Sequence, residues 1–74
     1  MEEVNQGVIT VTVNGKRTEL DGPVLLPTFL ETLNVNTRLI AVGYNGEVIG
    51  RQNFDTVTLK DGDTVDIVHM VGGG

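Results

Sequence analysis

The residues able to do chemistry are few in this 74-residue chain, and they gather toward one end of it. Cysteine and serine are absent and histidine occurs once, so the usual nucleophile–base constellations cannot be assembled. His69 stands in an apolar stretch with no triad partner beside it, and Asp61 and Asp63, flanking Gly62, read as a turn rather than an acid–base pair. No glycine-rich loop lies between a strand and a helix to cradle a phosphate, and no cluster of ligands predicts a metal site. The unusual feature is the run Val71-Gly72-Gly73-Gly74. Glycine has no Cβ, so its backbone can thread a channel closed to every other residue. Three extended residues reach about 10 Å, enough to carry the carboxylate of Gly74 into a partner's active site. That carboxylate is inert to nucleophiles until one oxygen becomes part of a leaving group, which calls for activation by a partner with ATP or an equivalent. These residues predict a carrier and co-substrate with no catalytic residues and no cofactor of its own, against the plainer reading of an idle tail.

A reactive end needs a body to deliver it. Residues 8–13 alternate Ile9, Val11 and Val13 with Thr10 and Thr12, the period-two pattern of a strand. Asn14-Gly15 supplies the positive φ angles of a two-residue type I′ turn, so residues 16–20 are predicted to return antiparallel. Beyond Asp21-Gly22-Pro23, the residues Leu26, Phe29, Leu30 and Leu33 recur at helical spacing. Pro27 is tolerable near a helix start, Thr28 and Glu31 have capping-box spacing, and Asn34 ends the pattern. A second hairpin follows, residues 39–44 and 47–49 about Asn45-Gly46. Residues 51–54 read as a connecting turn, 56–59 as a short edge segment and 64–70 as a closing strand. One helix covering one face of such a sheet makes an α+β two-layer domain. Alternation in the closing strand puts Val65 and Ile67 on one face and Asp66, Val68 and Met70 on the other, with the charge of Asp66 marking the second as solvent-facing. Val68 and Met70, with Val71 leading onward, are therefore the candidate docking surface for a partner.

The chain divides into a flexible leader at 1–7, a domain at 8–70 and a glycine tail at 71–74. Its length leaves room for one domain, and with no disulfide available the fold rests on a 39 % hydrophobic content. Ten acidic against five basic residues give a net charge of -5. That sign disfavours phosphate backbones and anionic membranes, so neither nucleic acid nor membrane is an expected partner, and a cationic protein face is better matched. No apolar run approaches the roughly 20 residues that span a bilayer, and the opening Met-Glu-Glu lacks a secretory pattern, which predicts a cytoplasmic protein.

The ending Ile67-Val68-His69-Met70-Val71-Gly72-Gly73-Gly74, the turn Asp61-Gly62-Asp63, the segment Val42-Gly43-Tyr44-Asn45-Gly46-Glu47 and the early Val13-Asn14-Gly15 together resemble the ThiS family, the sulfur carriers of thiamine biosynthesis. The resemblance covers residues 8–74. It implies a ubiquitin-like β-grasp fold, with a mixed sheet of four to five strands packed on one short helix. It also implies that Gly74, with Gly73 in the same diglycine motif, is adenylated by a ThiF-like adenylyltransferase and converted to a thiocarboxylate. The sulfur, from a donor such as a cysteine desulfurase, would enter the thiazole ring on the thiazole synthase ThiG. A terminal Gly-Gly is shared by the molybdopterin carrier MoaD and by ubiquitin-like modifiers, so those readings stay open. Gly50 stands where the family often has Pro and Phe54 where Trp is common. Pro27 and the leader depart from the family pattern as well.

Overall fold

Two Asn-Gly turns frame the architecture, and the computed structural model describes residues 7–70. Strands β1 (Ile9–Val13) and β2 (Lys16–Leu20) pair antiparallel from Ile9↔Leu20 to Val13↔Lys16. Between them Asn14 has φ 52° and Gly15 φ 84°. Both central residues are left-handed, as a type I′ turn demands, and asparagine is among the few side chains that tolerate this. A second hairpin joins β4 (Ile40–Tyr44) to β5 (Glu47–Ile49) through Asn45 at φ 50° and Gly46 at φ 90°. The closing strand β7 (Thr64–His69) then enters between the hairpins, parallel to β1 and antiparallel to β4. The resulting five-stranded mixed sheet has the order β2-β1-β7-β4-β5.

Its covered face is closed by α1 (Leu26–Thr32), which buries Leu26, Phe29 and Leu30 at helical i, i+3, i+4 spacing. Val11, Val42, Val65 and Ile67 meet them from the sheet. Each such aliphatic side chain contributes about 1.5–3 kcal/mol when fully withdrawn from water. Leu26 donates its N–H to the Val57 carbonyl at 2.9 Å, so the helix start is tethered to the chain beyond it in sequence. That tether continues as a small second sheet, in which β3 (Val24–Leu25) pairs with β6 (Thr58–Leu59). Among the described residues no helix is long and apolar enough to cross a membrane.

Several local expectations change. The helix ends where Asn34 predicts: Leu33 is its C-cap and is 40 % exposed, and Asn34 turns the chain out at φ 59°. No side chain caps its start, so the Thr28–Glu31 box does not form, and Pro27 takes a first-turn position where its missing N–H costs nothing. The strand expected from residue 39 begins at Ile40, because Thr37–Leu39 forms a 3-10 turn capped by the Asn36 side chain, which accepts from Arg38 N–H at 3.0 Å. The supposed connecting turn at 51–54 extends to a 3-10 helix, Arg51–Thr56, that buries Phe54 in the core. The edge segment contracts to Thr58–Leu59, and its partner Val24–Leu25, too short to show alternation, was not expected at all. The last strand ends at His69, although Met70 N–H still bonds the Leu39 carbonyl at 2.8 Å.

The Asp61-Gly62-Asp63 turn is structural, as its sequence predicts. Asp61 Oδ1 accepts the Thr10 N–H at 2.8 Å, which ties the turn to β1. Asp63 is only 8 % exposed, the one buried charge among the described residues. Its carboxylate accepts from Tyr44 Oη at 2.6 Å, from Lys60 N–H at 2.8 Å and from Asn45 Nδ2 at 3.2 Å, with Lys60 Nζ at 4.0 Å. Burial pushes this carboxyl up, but the bonds from Tyr44, Lys60 N–H and Asn45, with the Lys60 charge, outweigh it and hold it below the usual carboxylate range. The same contact, led by the bond to Asp63, raises the Tyr44 phenol.

A carboxyl depressed on folding contributes stability that is fully present above its unfolded pKa of about 3.9 and is lost as the pH falls through the lower folded value. Urea titrations of the native chain should therefore show a fall in midpoint below about pH 4 that is smaller in Asp63→Asn. At neutral pH, Asp63→Ala should lower stability by about 2 kcal/mol, because three donors lose a charged acceptor. An unchanged urea midpoint would refute the anchoring role.

Candidate functional site

Val71, Gly72, Gly73 and Gly74 lie outside the described residues, so the site can be built only up to the strand that leads to them. That strand is held on both sides. Asn14 prolongs β1 along it, donating its own N–H to the Val65 carbonyl at 2.9 Å and accepting the Ile67 N–H on its side-chain oxygen at 2.7 Å. Asn45 does the same from the other hairpin: its N–H reaches the Thr64 carbonyl at 2.8 Å and its Oδ1 accepts Thr64 N–H at 2.8 Å. Each turn asparagine thus bends its own hairpin with its main chain and grips β7 with its side chain. At the far end the Met70–Leu39 bond keeps the chain in line for one residue past the strand.

The alternation expected for β7 is observed. Val65 and Ile67 are buried, while Val68 is 59 % and Met70 54 % exposed on the open face. Directly opposed residues of paired strands share a face. By that rule Ala41 stands with Val68, Gly43 with Asp66, and Val48 with Gly43. Leu39, bonded through its carbonyl to Met70, is also exposed, and so is Val48. The open face therefore carries Leu39, Ala41, Val48, Val68 and Met70, with the carboxylate of Asp66 among them. Such a cluster exceeds the scattered exposed apolar side chains of an ordinary surface.

Val68 and Met70 were legible in the sequence, whereas Leu39, Ala41 and Val48 were not singled out. The Asn-Gly turn does fix Val48 opposite Gly43, but only the pairing of β4 with β7 brings that row beside Val68. His69 pairs with Ile40 and is exposed at the strand end. Among the described residues no group of three His, Cys, Asp or Glu side chains could hold a metal ion. A depression of about 360 Å³ between the end of β2 and α1 is lined by Leu20, Pro23, Val24 and Phe29 with Asp21 and Thr32, and the Thr32 hydroxyl is bonded to the Phe29 carbonyl at 2.6 Å.

If the open face is not part of the core, polar replacement there should leave the fold unaffected. Val68→Thr should shift the unfolding free energy by no more than about 0.5 kcal/mol in urea. Its neighbour Ile67→Ala should remove about 2–5 kcal/mol. Equal losses from the two would mean that Val68 is a packing residue.

Comparison with known proteins supplies what residues 7–70 alone do not. The ThiS family model matches residues 11–74, so the match runs through the three glycines. The sulfur carrier protein ThiS of Bacillus subtilis is 38 % identical over 45 residues, which is 61 % of this chain and 68 % of that one. A thiazole synthase of Paramagnetospirillum magneticum is 30 % identical over 64 residues, 86 % of this chain, although the chain spans only 20 % of that protein's length. The crystal structure of a thiamine biosynthesis protein (ThiS) from Geobacter metallireducens superposes with a TM-score of 0.79 at 39 % identity, covering 89 % of this chain and all of that one. The β-grasp sheet-and-helix architecture and the glycine-terminated sequence thus point the same way, and the chain belongs to the ThiS family of sulfur carriers.

Proposed function

We propose that this protein carries sulfur for thiamine thiazole formation as a thiocarboxylate on Gly74. The observation that carries the reading is the family match extending to Gly74 on a body whose last strand is fixed from both sides. In the first step a Gly74 carboxylate oxygen attacks the α-phosphorus of ATP on a ThiF-like adenylyltransferase that holds Mg, and pyrophosphate leaves. The outer sulfur of a persulfide on a donor such as a cysteine desulfurase then displaces AMP. A thiol attacks the donor sulfur of the resulting acyl disulfide, so that a disulfide leaves and the thiocarboxylate remains with one carboxylate oxygen replaced by sulfur. The chain contributes no acid, base or bound cofactor to any of these steps. It contributes reach through Gly72 and Gly73, and recognition through the folded body.

The similarity of this chain to part of a thiazole synthase supports ThiG as the acceptor of the sulfur, since joining two functions in one polypeptide keeps them together. Recognition is assigned to the open face, where Val68 and Met70, and Val71 beyond them, dock the partner together with Leu39 and Val48. The carboxylate of Asp66 in that face and the net charge of -5 favour a partner surface that is apolar with a cationic side chain.

Intact mass after incubation with MgATP, a ThiF-like enzyme and a sulfur donor tests the chemistry. The expected result is a gain equal to one oxygen replaced by sulfur, localised to Gly74 by fragmentation. No gain with an enzyme active on another carrier would reject the pathway, and Gly74 joined to a lysine amine would make the protein a modifier instead. Docking is tested separately by Met70→Asp, which should weaken binding of the activating enzyme about tenfold, equivalent to about 1.4 kcal/mol. Unchanged affinity in a binding titration would remove Met70 from the interface.

A further inference from the structure

Of the six asparagines in the chain, only Asn14 and Asn45 precede glycine. Elementary chemistry makes such a step prone to self-modification. The glycine backbone nitrogen attacks the asparagine side-chain carbonyl carbon, the side-chain nitrogen departs as ammonia with the backbone proton, and a five-membered succinimide closes. Water then opens the ring at either carbonyl, giving aspartate or isoaspartate. A following glycine has no side chain to shield the attacking nitrogen. Asn34, Asn36 and Asn53 instead precede Val35, Thr37 and Phe54.

The two Asn-Gly steps have the same immediate neighbour and the same turn geometry, with φ 52° and 50° at the two asparagines, and both asparagines are exposed. They differ in how the side-chain amide is held. Ring closure requires that amide to leave its partners and swing over the next nitrogen. At Asn14 the side chain makes one bond among the described residues, from Ile67 N–H to Oδ1 at 2.7 Å. At Asn45 both ends are held: Oδ1 accepts Thr64 N–H at 2.8 Å, and Nδ2, the leaving group, donates to the buried Asp63 carboxylate at 3.2 Å. The Asp63 charge also opposes the anionic nitrogen that must form at Gly46.

We propose that Asn14 is the site of spontaneous deamidation in this protein, and that Asn45 is protected by its bond to Asp63. The consequence falls on β7. Isoaspartate at position 14 lengthens the main chain of the turn by one carbon and withdraws the side-chain oxygen that accepts Ile67 N–H, loosening the strand three residues before Met70. Modification therefore acts on the element that leads to the tail, although its chemistry is confined to the turn of the first hairpin.

Ageing the full chain at mildly alkaline pH, followed by peptide mass mapping and isoaspartate-specific methylation, tests this. The peptide containing Asn14 should gain the mass of NH₂ replaced by OH about tenfold faster than the peptide containing Asn45, the ratio given by one extra charge-assisted hydrogen bond. In urea the two rates should converge, because the unfolded steps share the same following residue. In Asp63→Asn the Asn45 rate should rise several-fold while that of Asn14 stays the same. The aged form should show faster amide exchange at Ile67. Equal rates in the folded chain, Asn45 leading, or a gap that persists in urea would each overturn the proposal.

Discussion

The middle of this sheet is made by β7, the last of the described strands along the chain. Before β7 is in place, the two Asn-Gly hairpins have no contact through the sheet, and the apolar faces of β1 and β4 have no shared floor. The tie from Asp61 to Thr10 and that from Asn14 to Ile67 join residues 51 and 53 positions apart. Closing such long loops is entropically unfavourable and precedes the contacts that offset it. The hairpins are local and their turns are already encoded in two residues each. The core, by contrast, exists only once the far end of the chain has found its slot.

Polar side chains rather than extra hydrophobic area secure that slot. A small domain buries too little apolar surface to be casual about where its central strand lies. A slip of one residue would turn Val65 and Ile67 outward and bury Asp66. Asn14, Asn45, Asp61 and Asp63 prevent it by offering oxygen or nitrogen partners at fixed heights along the strand and its entry turn. Asp63 shows the balance: withdrawing a carboxylate from water is unfavourable, and it is tolerated because Tyr44, Asn45 and Lys60 all donate to it.

How much of this was legible follows from which signals are local. Asn-Gly between alternating β-branched residues specifies its turn, its register and its faces, so both hairpins and the outward direction of Val68 could be read directly. The helix could be located and its end read from Asn34, but its start could not, because Pro27 and the Thr28–Glu31 spacing point to different first residues and no side chain caps the start that forms. Val24–Leu25 and Thr58–Leu59 carry no readable period at two residues each, and their pairing depends on the helix tether. Phe54 shows the same limit, being an apolar residue in a polar 3-10 segment whose burial is decided by what packs over it. Leu39, Ala41 and Val48 join Val68 and Met70 only through strand order, which no short stretch of sequence contains. The chemistry proposed for Gly74 is different again, since the proposal rests on the sequence and on kinship rather than on the geometry of residues 7–70.

The parallel pairing of β1 with β7 has a mechanical consequence. A pull applied along β7 beyond Met70 loads its bonds to β1 and β4 side by side, in shear, instead of opening them one after another like a zipper. Strands resist shear far better than peeling, because several hydrogen bonds must yield together. A partner can therefore draw on the end of this chain, or strain it into position, while the body bears the load without unravelling.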